Sequence, residues 1–326
     1  MMHHQPTGGV TGRLAAAFTA LVILATAAHA ADRVRVGKAQ GQAWIFTAVD
    51  LGIAEGIFQR YGLDVSIVDF AGDAKLQQGL AANAVDFGLG SGPGMAFELK
   101  GSPVIGVACF GDTAKNISLT VGNDPSIKTI ADMKGRRVSV STVGSFTAWL
   151  ADQMSIQEGW GPHGVTIVPL GAFDAELAAL AAHEVDGVVL DVSVGFRLEM
   201  AHRGRVLVTM DKYAPRLTTE VVFAQKQLVA KNPALVGRFL KGLFASFAFM
   251  KANKEKAVAV TAPIARISPA LASRIYDYEM PIVIGDGQFD PKGLERLKKS
   301  FVQLGFLKKE PSDDQLITTQ FLPVKF

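Results

Sequence analysis

Leu80-Ala81-Ala82-Asn83-Ala84-Val85-Asp86 and Leu180-Ala181-Ala182-His183-Glu184-Val185-Asp186 are two versions of one stretch. The correspondence runs outward from them. Val65-Ser66-Ile67-Val68 matches Val165-Thr166-Ile167-Val168, and Asp73-Ala74-Lys75-Leu76 matches Asp174-Ala175-Glu176-Leu177. Further back, Val34-Arg35-Val36 parallels Val138-Ser139-Val140. A unit repeated at a steady spacing is one supersecondary module used twice. Two similar α/β lobes are therefore expected, and two facing lobes enclose a cleft.

Within each copy the pattern alternates. The first predicts strands over 34–38, 63–70 and 85–89 with helices over 43–60 and 73–82. The second repeats this as strands over 137–141, 165–170 and 185–190 with helices over 145–158 and 174–183. Such alternation means a parallel sheet with right-handed crossovers in each lobe. Residues 104–110 read as a further strand, 116–121 as the first strand after a crossing, and 218–224 as the strand that returns. The expected division is a leader over 1–30, one lobe from 31–114 with 216–326, and the other from 115–215. Asn232-Pro233 opens a long helix whose apolar face is interrupted by Arg238 and Lys241, which suits packing on a lobe better than a membrane. Asp290-Pro291 opens another, with Gly305 as its stop.

The leader is a secretory signal by pattern: Arg13, an apolar run from Leu14 to Ala28, then Ala28-His29-Ala30. The run falls short of the ~20 residues that span a bilayer. An exported periplasmic protein is expected. Cys109 is the only cysteine, so no lipid anchor and no internal disulfide are available. Only His163, His183 and His202 follow the leader, which supplies metal sites poorly; no metal or cofactor is expected. A formal net charge of +3 with no clustered basic stretch excludes nucleic acid as a partner.

Ligands of open α/β sheets sit beyond the carboxyl ends of the strands. That rule collects Gln40, Gln42 and Trp44, then Gly72-Asp73 and Ser91 from the first lobe. Gly144, Ser145, Phe146 and Thr147, then Gly171 to Phe173, Asp191 and Ser193 come from the second, and Thr218 from the return crossing. Hydroxyls, amides and rings bind solutes; they offer no convincing base or nucleophile. Gly144 to Thr147 presents backbone N–H groups at a helix start, a setting that favours an anion, although Ser145 also reads as a plain N-cap. Trp44 is either a stacking wall or a core residue, and Asp191 either a ligand acceptor or a cap. Arg197 and Arg216 are near enough in sequence to serve an anion, or lie on the surface. Enzyme motifs fail: Gly88 to Gly94 has a misplaced third glycine and Pro93, and neither Ser91 nor Ser145 sits in a nucleophile elbow.

Gly52 to Phe58 followed by Gly62-Leu63-Asp64-Val65, the Leu80 to Leu89 stretch, and Ile127 to Val138 together resemble periplasmic solute-binding proteins of the nitrate/sulfonate/taurine type, in the clan that also holds thiamine-pyrimidine synthases. The resemblance implies a two-lobed type II binding-protein fold, α/β, with parallel-sheet lobes joined by two crossing strands. It implies a monomer that traps a small-molecule ligand and passes it to the transmembrane subunits of an ABC permease. A small organic or inorganic anion is the first expectation. A pyrimidine or aromatic carboxylate, or a sensing role at a receptor, are the alternatives. A synthase-like enzyme is the remaining rival, against which stands the lack of a cysteine-rich stretch.

Overall fold

Strands covered on both faces should be apolar at every position, and Val104–Gly111 and Ile117–Gly122 are buried over nearly their full length. The computed structural model describes residues 31–326, so the expected leader lies outside the described residues. Chain order begins β1 (Asp32–Lys38), α1 (Ala48–Ala54), α2 (Ile57–Arg60), β2 (Leu63–Asp69), α3 (Asp73–Ala81), β3 (Phe87–Ser91) and β4 (Val104–Gly111). It continues through β5 (Ile117–Gly122), β6 (Arg137–Val140), α4 (Phe146–Gln157), β7 (Thr166–Pro169), α5 (Phe173–Ala181), β8 (Gly187–Asp191), α6 (Val192–Met200) and β9 (Gly204–Thr209). The chain then returns as β10 (Glu220–Gln225) and closes with α7 (Lys226–Lys231), α8 (Pro233–Ala252), α9 (Lys254–Ile264), α10 (Pro269–Glu279), α11 (Pro291–Gln303) and α12 (Asp313–Leu316).

Two five-stranded sheets result, in the orders β2-β1-β3-β10-β4 and β7-β6-β8-β5-β9. The repeated unit supplies three parallel strands to each. The strand arriving from the other lobe, β10 in one sheet and β5 in the other, runs antiparallel to both its neighbours. The expected parallel sheets are thus mixed, because a chain that crosses between lobes enters the sheet from its opposite end.

The helix expected over 43–60 is broken. A 3-10 turn at Trp44–Thr47 leads into α1, and Gly56, at φ 64°, separates α1 from α2. A left-handed residue ends a helix, and glycine adopts that conformation without steric cost. Helix α8 is long and apolar enough to cross a membrane by composition alone. Its Leu235, Val236, Phe239, Leu240, Leu243, Phe244 and Phe247 are buried, and the helix packs on α1 and α2. Phe239 stacks on both Phe58 and Phe87, which ties α8 to the first sheet. Pro233 stands at the first helical position of α8, where its missing N–H is not needed, and Asn232 caps the helix from Leu235 N.

Candidate functional site

Strands β3 and β8 end at Ser91 and Asp191, and the crossing strands begin at Glu220 and Ile117. Register places Glu220 opposite Ser91 and Ile117 opposite Asp191, so each lobe offers the same corner to the cleft. A cavity of about 50 Å³ lies between the two corners. Its apolar wall includes Ile45, Phe46, Ile117, Phe146, Phe173 and Leu190. Its polar wall is Gln40, Asp73, Ser91, Asn116, Ser141, Thr147, Asp191 and Glu220. No lysine, arginine or histidine is among these lining residues.

Asp73 stands at the first position of α3 and is buried. Its carboxylate accepts from Ser91 N at 2.9 Å, from Ser91 Oγ at 2.8 Å and, across the cleft, from Phe146 N at 3.2 Å. Burial pushes this carboxyl up, while the bonds from Ser91 and Phe146 pull it back. The helix start that sequence reasoning offered to an anion is therefore already met by a carboxylate of the protein. Ser145 Oγ accepts from Ala148 N at 3.3 Å, an N-cap.

Three further acids surround the cavity floor. Asp191 accepts from Ser193 N at 2.9 Å through Oδ1, and its buried Oδ2 has no hydrogen-bond partner. Burial pushes its carboxyl up to about 6. Glu220 accepts from Asn116 Nδ2 at 3.1 Å and is pushed up to about 8, first by burial and further by the charges of Asp73 and Asp191. Glu279, at the end of α10, is raised well above the usual range by burial and then by Asp191 and Glu220. Like charges in a water-excluded space cannot all ionise, so protons are shared among them. Asn116 Oδ1 is a second buried acceptor without a partner.

The lobes meet around this cavity. Gln40 Nε2 donates to Gly171 O at 2.8 Å, and Trp149 Nε1 to Ser300 Oγ at 2.9 Å. Gly72, at φ 101°, brings the backbone so close to the second lobe that a Cβ there would lie 2.7 Å from Thr142 Oγ1.

Of the residues singled out in the sequence, Gln40, Ser91, Phe146, Thr147 and Asp191 line the cavity. Trp44 does not: it is buried, edge-on to Tyr276 at 5.9 Å between ring centroids, with Nε1 unpartnered. The 3-10 turn carries Ala43, Ile45 and Phe46 to the cavity and turns Trp44 into the core. Gly144 and Ser145 form the cap behind Phe146, and Thr218 is fully buried, its carbonyl packed against Gly92. Gln42 and Ser193 share a shallow depression with Arg197 on the other side of Phe173. Arg216 pairs with Asp290 at 2.6 Å, and the buried Lys38 is held by Asp50 and Asp69 at 3.1 and 3.3 Å. Neither cation reaches the cavity. Asn116 and Glu220 were not among the candidates; their only signal is their place at the ends of the two crossing strands.

Two lobes, each built on a mixed five-stranded sheet and joined by two crossing strands, with a cavity between them, define the periplasmic binding protein fold. Residues 45–257 match the model of the NMT1/THI5-like family, and the chain belongs to that family. A Bacillus subtilis (strain 168) protein named for aliphatic sulfonates binding is 23% identical over 76% of this chain and 74% of its own length. The alkanesulfonate-binding protein SsuA of Xanthomonas axonopodis pv. citri, solved bound to MOPS, superposes with a TM-score of 0.74 at 18% identity, covering 90% of this chain and 96% of its own. The desulfurization enzyme DszB has a TM-score of 0.63 at 14% identity, covering 89% and 97%. One fold thus serves binding and catalysis, and the site must decide between them.

Proposed function

We propose that this chain is the solute-binding component of an ABC importer, which captures a small solute between its lobes in the periplasm and hands it to the permease. The observation that carries this reading is the interlobe cavity, lined by acceptors, hydroxyls and rings. Catalysis has little to work with there. No cysteine, lysine or histidine lines the cavity, and Cys109 is buried in β4 with its thiol pushed up by burial. Closure of two bodies on a solute turns binding into a shape change that a permease can read. The relatives' names support a sulfonate-like anion as the solute, with taurine and nitrate in the same class.

Thermal unfolding and small-angle scattering against a solute panel test the reading. A solute at 100 times its Kd adds ~2.7 kcal/mol and raises Tm, and the same solute should shrink the molecule in solution. A protein whose Tm and dimensions ignore every solute, and which carries none on denaturing mass spectrometry, would not be a solute-binding component.

A further inference from the structure

The polar groups around the cavity are spent within the protein. Asp73 accepts from Ser91 and Phe146, and Ser141 Oγ lies 3.2 Å from Thr147 Oγ1. Glu220 is met by Asn116 Nδ2, and Asp191 Oδ1 by Ser193 N. The acceptors left over, Asn116 Oδ1 and Asp191 Oδ2, are buried and present no surface to the space. What an occupant touches is therefore mainly carbon. Phe46, Phe146 and Phe173 supply rings, and Ile45, Ile117 and Leu190 supply aliphatic groups. Gln40 is the one polar side chain of the lining that is not buried, and its Nε2 spends a single N–H on Gly171 O. A second amide hydrogen is left to donate.

From this we infer that the solute is a compact uncharged molecule, its apolar body lying against the phenylalanine wall and one weak acceptor, such as a sulfone or nitro oxygen, facing Gln40. The inference rests on the reading of the cleft as a solute site, and it replaces the anion that the relatives' names suggest. A charge entering this space would leave its water and find no opposite charge free to receive it, which is costly. For an anion, no lysine, arginine or histidine lines the cavity, and the start of α4 already holds Asp73. For a cation, the carboxyl oxygens are bonded or buried. An uncharged apolar body instead gains by leaving water for the rings and aliphatic groups. A cavity of about 50 Å³ limits it to a few heavy atoms.

The experiment compares molecules matched in shape and different in charge. Dimethyl sulfone is run against sodium methanesulfonate, and nitromethane against sodium acetate, by ligand-observed NMR titration of the purified protein at matched ionic strength. The uncharged member of each pair should bind about tenfold more tightly or better. Phe173→Ala should weaken dimethyl sulfone by about tenfold and admit methyl phenyl sulfone, which the unaltered cavity is too small to take. Ile117→Ala, a smaller cut in the same wall, should shift the size preference the same way if Phe173→Ala does not fold. Methanesulfonate binding as tightly as dimethyl sulfone, or more so, would overturn the inference and leave the solute-binding reading standing. Sulfone binding that ignores both substitutions would overturn the site. Silence from all four molecules overturns the inference as stated, and scattering with mass spectrometry then judges the solute-binding reading by itself.

Discussion

The two lobes agree closely where they face away from each other and differ where they meet. Arg35 N and Arg137 N both donate to an aspartate, Asp86 Oδ2 at 2.8 Å and Asp186 Oδ2 at 2.9 Å. The same guanidinium groups reach the residue just past the C-cap of α3 or α5, at Asn83 O and His183 O, 2.7 and 2.8 Å away. Asn83 and His183 themselves share a left-handed backbone, φ 57° and 58°. At the cleft the likeness fails. The first position of α3 is Asp73, buried across the interface, and the first position of α5 is Phe173; the aspartate that matches Asp73 in sequence, Asp174, falls one place later, is exposed and pairs with Arg266 at 3.0 Å. The repeated residues hold the scaffold, and the divergent ones hold the site.

Removing the two aspartates that match in sequence should expose that difference most. Asp73→Ala leaves three donors around Ser91 and Phe146 unmet and should cost about 3 kcal/mol in urea unfolding. Asp174→Ala removes an exposed pair and should stay within about 0.5 kcal/mol. Equal costs would break the comparison.

Next comes pH. Glu220 beside the cavity and Glu176 on the buried face of α5 are each pushed up to about 8 by burial. An acid whose folded pKa is raised holds its proton more tightly in the native state. The stability it contributes is complete below the unfolded value near ~4.3 and is lost as pH rises through about 8. The lowered acids Asp124, Asp132, Asp186 and Asp290 are already ionised across that window. Tm should therefore fall between pH ~5 and pH ~8.5, and either Glu220→Gln or Glu176→Gln should recover on the order of 2 kcal/mol at the alkaline end. Only the Glu220 change should alter solute binding, since Glu176 does not line the cavity. A Tm that rises with pH would contradict the burial of both acids.

Gly72 and Gly171 sharpen the contrast by geometry. Both have positive φ, 101° and 88°, but a Cβ on Gly72 meets Thr142 at 2.7 Å while one on Gly171 meets Ala71 at 3.4 Å. Gly72→Ala should cost about 2 kcal/mol and hold the lobes apart in scattering, and Gly171→Ala about 1 kcal/mol with closure retained. The smallest effect belongs to the shared scaffold. Arg35→Ala and Arg137→Ala should each cost about 0.5–1 kcal/mol and match within error, measured by urea midpoint.

The duplicated Leu-Ala-Ala stretch made the lobes legible because repetition survives as sequence. The succession of strands and helices along the chain followed from alternation, but the place and direction of β5 and β10 in the sheets did not, since nothing local records which end of a sheet a strand enters. Gln40, Ser91, Phe146, Thr147 and Asp191 were reachable because they follow strands of the repeated unit. Trp44 and Thr218 have site-like neighbours, and a rotation of one residue within a turn decides which of them faces the core. Ser145 was legible as a cap and serves as one. Asn116 and Glu220 lie 104 positions apart. No motif joins them, and only the fold brings them within hydrogen-bond reach.

That meeting has a mechanical consequence. Asn116 leads into the outgoing strand and Glu220 begins the returning one, so their 3.1 Å bond ties together the two places where the chain passes between lobes. Points on the axis of a rotation stay put while the rim travels. Opening would part Gln40 from Gly171 first and leave the Asn116–Glu220 pair nearly unmoved. A solute arriving at the open molecule would find its floor already assembled, and only the roof would remain to be built around it.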